Sequence, residues 1–204
     1  MIIIIVGGIG SGKSLTMVKE LVSNSKETYA YTNFSTKKIK NVERIRMDMI
    51  LNYEVDKKGK EYPVSINYDY WKKLRKENKR FSIYLDEVHN ILNSRASMSK
   101  NNQLITTWLA QIRKVFGDSE KDHLYLITQK VMRLDVALRD LAHIMIECKK
   151  VVKGKKVYII NYYYNSIEAY FSNRKMGSKA FLGNKYFGYY DSYELIDFGN
   201  SAYL

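Results

Sequence analysis

Residues 2–14 constrain this chain more than any other segment. Ile2-Ile3-Ile4-Ile5-Val6 is an unbroken β-branched run, and Gly7-Gly8-Ile9-Gly10-Ser11-Gly12-Lys13-Ser14 follows it directly. Such a run is the pattern of a strand buried on both faces. From Ser14 to Ser23, the residues Leu15, Val18, Leu21 and Val22 recur at helical spacing. A strand, a loop fitting G-x-x-x-x-G-K-[ST] and a helix in direct succession form the context in which that motif cradles a phosphate chain. The glycines let the backbone curl so that successive N–H groups point inward. The positive end of the helix adds to them. Lys13 is expected to reach the β- and γ-phosphates of ATP, and Ser14 to ligate Mg²⁺. Gly7, Gly8, Ile9, Gly10, Ser11, Gly12 and Leu15 complete the expected cradle.

A P-loop needs an acidic partner to hold its metal. Phe81-Ser82-Ile83-Tyr84-Leu85 is a hydrophobic strand that ends in Asp86 and Glu87. Asp86 is expected to orient Mg²⁺, directly or through water. Glu87 is expected to polarise the attacking water as general base. A water-activating glutamate fits hydrolysis coupled to motion, whereas a small-molecule kinase needs none. Such a kinase is the rival enzyme class, and a nucleotide-gated DNA-binding protein without useful turnover is a further one. A third strand, Tyr125-Leu126-Ile127-Thr128, runs into Gln129. At the carboxyl edge of a parallel sheet, Gln129 either meets the γ-phosphate or lytic water, or is an ordinary loop amide.

The remaining chain alternates strand and helix. Strands are expected over 28–34, 123–128 and 144–148. Helices are expected over 68–78, 103–116 and 136–142, with Trp108 on the apolar core face of the second. Residues 36–61 are polar and read as a hairpin or irregular insertion, with a turn at Lys57-Lys58-Gly59-Lys60. This order predicts an α/β fold, a P-loop NTPase with a mainly parallel central sheet flanked by helices. After Cys148 the texture changes to KKVVKGKK at 149–156 and then to a tyrosine-rich, turn-punctuated stretch. The expected organisation is a P-loop core over 1–148 and a basic, β-hairpin-rich extension over 149–204 packed on the same domain.

Lys and Arg number 34 against 21 Asp and Glu, a net charge of +13. That excess calls for a polyanionic partner, nucleic acid or an anionic membrane surface. Two basic blocks, KKLRKENKR at 72–80 and KKVVKGKK at 149–156, read alone as solvated faces. Beside a motor-type site they favour the DNA backbone, with little sequence specificity because no recognition helix or zinc finger is visible. The tail tyrosines suit base stacking and hairpin packing equally. No transmembrane segment is expected, since no apolar run approaches the roughly 20 residues a span needs. A single cysteine, Cys148, excludes an internal disulfide and reads as a small buried hydrophobe. His89, His123 and His143 are too dispersed for a metal site. The expected setting is the host cytoplasm.

GGIGSGKS at 7–14, YAYTNF at 29–34, IYLDEVHNIL at 83–92, LAQIRKVFGDSEKDHLYLITQ at 109–129 and DVALRDL at 135–141 together resemble the FtsK–HerA class of P-loop ATPases. Within it the chain resembles the Zot-like assembly ATPases of filamentous phages and the small DNA-packaging ATPases of viruses. The resemblance implies a homo-oligomeric ring that moves DNA, with Gln129 as strand-end sensor and an arginine acting in trans. Arg113 is the first choice for that arginine, then Arg139 and Arg95. The filamentous-phage proteins also carry a membrane-spanning segment, which this sequence does not show. That departure ranks genome packaging on a capsid vertex first, and phage assembly or extrusion with a membrane-anchored docking partner second.

Overall fold

β1 (Ile2–Val6) occupies the middle of the main sheet because its β-branched residues are buried on both faces. The computed structural model describes residues 1–77, 80–88, 100–116 and 122–191, without the side chains of residues 113 and 115. After β1 come α1 (Lys13–Asn24), β2 (Tyr29–Thr32), β3 (Val42–Arg44), α2 (Met47–Ile50), β4 (Leu51–Val55), β5 (Glu61–Ile66) and α3 (Tyr68–Lys76). The second half comprises β6 (Phe81–Leu85), α4 (Lys100–Phe116), β7 (Leu124–Thr128), α5 (Val136–Asp140), β8 (Ile144–Lys153), β9 (Lys156–Tyr164), α6 (Ile167–Phe171) and β10 (Gly177–Leu182).

Eight strands form one sheet in the order β10-β9-β8-β1-β7-β6-β2-β3. From β8 to β3 every neighbouring pair is parallel. β9 and β10 are added antiparallel at one edge. The sheet is therefore the mainly parallel one the sequence predicts.

Alternation along β1 sends its side chains to two cores. Ile2, Ile4 and Val6 pack with Trp71, Trp108, Leu109 and Ile112 from α3 and α4. Ile3 and Ile5 pack with Leu15, Met17, Val18 and Leu21 of α1, and with Ile159 of β9. Trp71 and Trp108 are fully buried with ring centroids 5.4 Å apart. Each large side chain buried this way contributes about 1.5–3 kcal/mol of transfer free energy. Trp108 is thus a core residue and no base-stacking platform.

Two local expectations need correction. Residues 36–61 are not one hairpin or irregular insertion: Val42–Arg44 is a parallel edge strand of the main sheet, beside β2. The hairpin comes later, β4 against β5, folded over the turn at 57–60. Leu51, Tyr53 and Val55 alternate with polar residues in β4, as do Tyr62, Val64 and Ile66 in β5, but Pro63 interrupts the second run and demotes it as a strand. The strand expected over 144–148 continues through Lys153, and Cys148 lies inside it. Met145–Lys153 pairs residue by residue with Lys156–Tyr164, so the basic run forms part of a β-hairpin. Among the described residues no helix is long and apolar enough to cross a membrane.

Candidate nucleotide site

β1, β7 and β6 are parallel neighbours, with β2 next to β6, so their carboxyl ends share one edge. The glycine loop follows β1, Gln129 follows β7, Asp86 and Glu87 follow β6, and Asn33 follows β2. Segments about 20 to 120 residues apart in sequence meet because this strand order brings their ends together.

The loop is shaped for phosphate before any ligand enters. Gly12 caps α1 in the left-handed conformation at φ 97°, with no side chain capping the helix and no acid in its first turn. The first-turn N–H groups are thereby left to an anion. A Cβ on Gly12 would lie 2.3 Å from Ile159 Cδ1, and one on Gly7 2.5 Å from Ser11 Oγ and 2.9 Å from the Cys148 carbonyl. At both positions the dihedral angle disfavours a side chain, and an added Cβ would force Ile159, or Ser11 and the Cys148 carbonyl, to shift. Lys13 is only 7% exposed, and its Nζ donates to the Gly8 carbonyl at 3.0 Å, spanning the loop. Ile9 is 88% exposed at the tip, so only its backbone faces the cradle. Ser11 Oγ is buried without a hydrogen-bond partner among the described residues. An orphan polar atom of this kind inside a glycine loop suits a phosphate oxygen.

Asp86 is held at both carboxylate oxygens. Ser14 Oγ donates to Oδ2 at 2.9 Å, and the Glu87 backbone N–H donates to Oδ1 at 2.7 Å. Burial pushes the Asp86 carboxyl above the usual carboxylate range, against the Ser14 and Glu87 hydrogen bonds and the Lys13 charge. Glu87 sits at φ 49°, a left-handed conformation uncommon for a residue with a side chain. Gln129 Nε2 donates to Glu87 Oε2 at 3.5 Å, the outer limit of a hydrogen bond. Lys13, Ser14, Asp86, Glu87, Gly10, Gly12 and Leu15 line a single cleft of about 400 Å³. That donor set fits Mg²⁺: a hydroxyl, a fixed carboxylate beside it and room for phosphate oxygens. Among the described residues no group of three His, Cys, Asp or Glu forms a separate metal site.

The arginines are not gathered here. Arg139 lies in α5 outside the cleft lining, with Nη1 3.0 Å from Met132 Sδ. The Arg113 side chain, Arg95 and His89 lie outside the described residues. His143 Nδ1 accepts from the Ile2 N–H at 3.2 Å, and His123 Nδ1 is 3.5 Å from the terminal amine, so both mark the far end of β1. Cys148 is buried, its Sγ 3.3 Å from Thr16 Oγ1, and burial pushes its thiol up to about 11. It is a packed, unreactive thiol.

Two residues of the site escape sequence reasoning. Asn33, 3% exposed, pins Asp86 through its side-chain amide: Nδ2 donates to the Asp86 carbonyl at 2.8 Å, and Oδ1 accepts from the Asp86 N–H at 2.7 Å. The amide thereby extends the β2–β6 ladder by one rung, with a side chain in place of backbone. Its signal was a strand-end asparagine in YAYTNF, common in any turn. Lys150 also lines the cleft, with Nζ 3.7 Å from where a Cβ on Gly10 would stand. Period-two alternation from buried Cys148 puts Lys150 on the α1 side of the hairpin and Lys149 on the other. The basic run is therefore not one DNA-facing block, as its composition suggested.

A protein-family model described as Zonular occludens toxin (Zot) matches residues 1–195. Among solved structures, the N-terminal domain of zonular occludens toxin from Neisseria meningitidis aligns at TM-score 0.56 and 21% identity, over 93% of this chain and 98% of that one. The genome packaging NTPase B204 from Sulfolobus turreted icosahedral virus 2, in complex with ATP-gammaS, aligns at TM-score 0.45 and 15% identity, over 88% and 95%. No curated protein sequence matches the chain. A P-loop NTPase fold with its phosphate loop intact, matched over nearly its whole length by one family model, places this chain in the Zot family.

Proposed function

We propose that this protein is a magnesium-dependent ATPase whose hydrolysis drives DNA movement during phage assembly or extrusion. The observation that carries the proposal is the 2.9 Å bond from Ser14 to Asp86, with Glu87 and Gln129 directly beside it. Lys13 exchanges the Gly8 carbonyl for the β- and γ-phosphates. Ser14 donates its hydroxyl hydrogen to Asp86 in a hydrogen bond, so its oxygen would remain available to hold Mg²⁺ together with Asp86. A metal held there would neutralise charge on the phosphates. Glu87 takes the proton of the attacking water, and Gln129 holds the other side of the Glu87 carboxylate in place.

DNA as cargo is supported by the net charge of +13 and by the exposed lysines of α3. Membership of the Zot family supports assembly or extrusion with a membrane-anchored docking partner, ahead of the capsid packaging that the sequence ranks first. A homo-oligomeric ring with an arginine acting in trans is compatible with Arg139, which does not line its own cleft; Arg113 is the other candidate.

Phosphate release measured with and without double-stranded DNA tests the proposal. Lys13→Ala and Glu87→Gln are expected to lose turnover by about 100-fold or more, the scale of a lost general base, while melting like the wild type. Wild-type turnover in either variant refutes the mechanism. Unchanged turnover on adding DNA removes the coupling, and phosphate transfer to a nucleoside monophosphate makes the protein a kinase.

A further inference from the structure

The cleft has a second half that phosphate chemistry does not use. Facing the loop glycines are Leu15, Phe34, Val157, Phe187 and Tyr190. Phe187 and Tyr190 belong to the segment after β10, which makes a 3-10 turn over Gly183–Tyr186 against α1 and runs on to the residues following β2. Both ends of this strap are tied. Asn184 Oδ1 accepts from the Val157 N–H at 2.7 Å, and its Nδ2 donates to the Lys155 carbonyl at 3.1 Å. At the far end the Lys37 N–H donates to the Tyr189 carbonyl at 2.8 Å, and Thr36 bridges to Tyr190. Tyr186, Tyr189 and Tyr190 pack against the α1-side core.

Phe187 sits between these anchors and behaves differently. It is 49% exposed and belongs to neither core cluster, although its three tyrosine neighbours pack against one. A ring without polar atoms, half-exposed inside a cleft on a segment fixed at both sides, is a preorganised apolar surface. It adjoins a site built for polyphosphate, so one ligand spanning both halves must be an amphiphile with a phosphate chain and a flat apolar end. We propose that Phe187, with Val157 beside it, is the platform on which the base of the bound nucleotide stacks. The strap thereby makes the site select an aromatic nucleobase rather than a polyphosphate alone. This rests on the nucleotide site proposed above. It assigns the strap a role in substrate recognition that the phosphate-binding elements do not supply.

Calorimetric titration of ATP and of inorganic tripolyphosphate, both with Mg²⁺, tests it on wild type, Phe187→Ala, Phe187→Leu and Phe187→Trp. Wild type is expected to bind ATP about tenfold tighter than tripolyphosphate or better, the scale of one base–aromatic stack. Phe187→Ala and Phe187→Leu lose about that factor for ATP and keep their tripolyphosphate affinity, whereas Phe187→Trp retains both. The leucine variant keeps the apolar volume, so its loss isolates stacking from packing. ATP binding unchanged in both the alanine and leucine variants overturns the platform, as does an equal loss for both ligands. Wild type binding the two ligands alike overturns the platform and leaves the phosphate site standing. Wild type binding neither overturns the nucleotide site itself, and the platform with it.

Discussion

Asn33→Ala separates a structural staple from a catalytic one. The substitution removes two short hydrogen bonds, 2.7 and 2.8 Å, from a side chain that is 3% exposed. Both partners are backbone groups of Asp86, which is itself buried, so both lose their ties where water enters poorly. A buried polar group left without its partner costs about 1–3 kcal/mol, and two of them with partial relaxation come to about 3 kcal/mol. For a chain of this size each kcal/mol moves the melting temperature by about 2–4 °C, so a drop of roughly 6–12 °C is expected. The loss of turnover should exceed what unfolding explains. Asp86 is fixed from two sides, by Ser14 and Glu87 on the carboxylate and by Asn33 on the backbone, and a shift of about 1 Å in such a group costs on the order of 100-fold. The assay is phosphate release well below the melting transition of the variant, beside thermal and urea denaturation. Melting indistinguishable from wild type refutes the hydrogen-bond argument. Reduced stability with wild-type turnover per folded molecule refutes the positioning argument and leaves Asn33 a structural residue.

Gly12→Ala should destabilise the fold by about 1–2 kcal/mol from the left-handed backbone alone, with the 2.3 Å approach to Ile159 Cδ1 added. Adding Ile159→Ala should leave the dihedral strain in place while removing the clash, which thermal melts of the single and double variants resolve. Asp86→Asn should abolish turnover yet melt at or above wild type at neutral pH without metal. The raised carboxyl pKa means that the stability this group contributes is fully present below the ordinary carboxylate pKa and is lost as pH rises through its folded value. The advantage of the asparagine should therefore vanish toward acid pH in melts across the range, and an asparagine variant melting far below wild type at neutral pH contradicts the assignment. Replacing Lys72, Lys73 and Lys76 with alanine should lower DNA-stimulated turnover and leave basal turnover unchanged. Arg75 is best left out of that set, because its Nη1 donates to the Lys114 carbonyl at 3.1 Å and serves the α3–α4 packing.

The parts of the site written in contiguous residues were legible. Strand, glycine loop and helix adjoin in sequence, and FSIYL runs directly into Asp86 and Glu87, so local pattern alone located the phosphate loop and the acidic pair. What stayed hidden depends on strand order. Asn33 matters only because β2 lies beside β6, and Lys150 faces the cleft only because β8 lies beside β1. Neither adjacency can be read from hydrophobic periodicity, which gives the face of a strand and never its neighbour. The run KKVVKGKK shows the consequence: its composition is uniform, but pairing with β9 sends alternate lysines to opposite sides of the sheet. The strap was hidden for a related reason. Its tyrosines resembled generic hairpin material, and only long-range contacts, the Thr36–Tyr190 bridge and the Lys37–Tyr189 hydrogen bond, show that it reaches the residues following β2.

Several locally unfavourable features meet in this one cleft. Gly12 and Glu87 hold left-handed backbone, Ser11 Oγ is buried without a partner among the described residues, and Asp86 carries a buried carboxylate. Each costs free energy in a chain without ligand, and none is needed to build the sheet, whose central parallel strands are buried along their whole length. Their common remedy is a single ligand. A phosphate chain supplies acceptors to the Ser11 hydroxyl and the α1 N–H groups, and a divalent cation supplies the charge that Asp86 lacks. Nucleotide and metal together should therefore stabilise this protein by more than the sum of their separate effects. A thermal-shift matrix of ATP, Mg²⁺ and both checks this, since additive shifts would mean that these groups do not share one ligand.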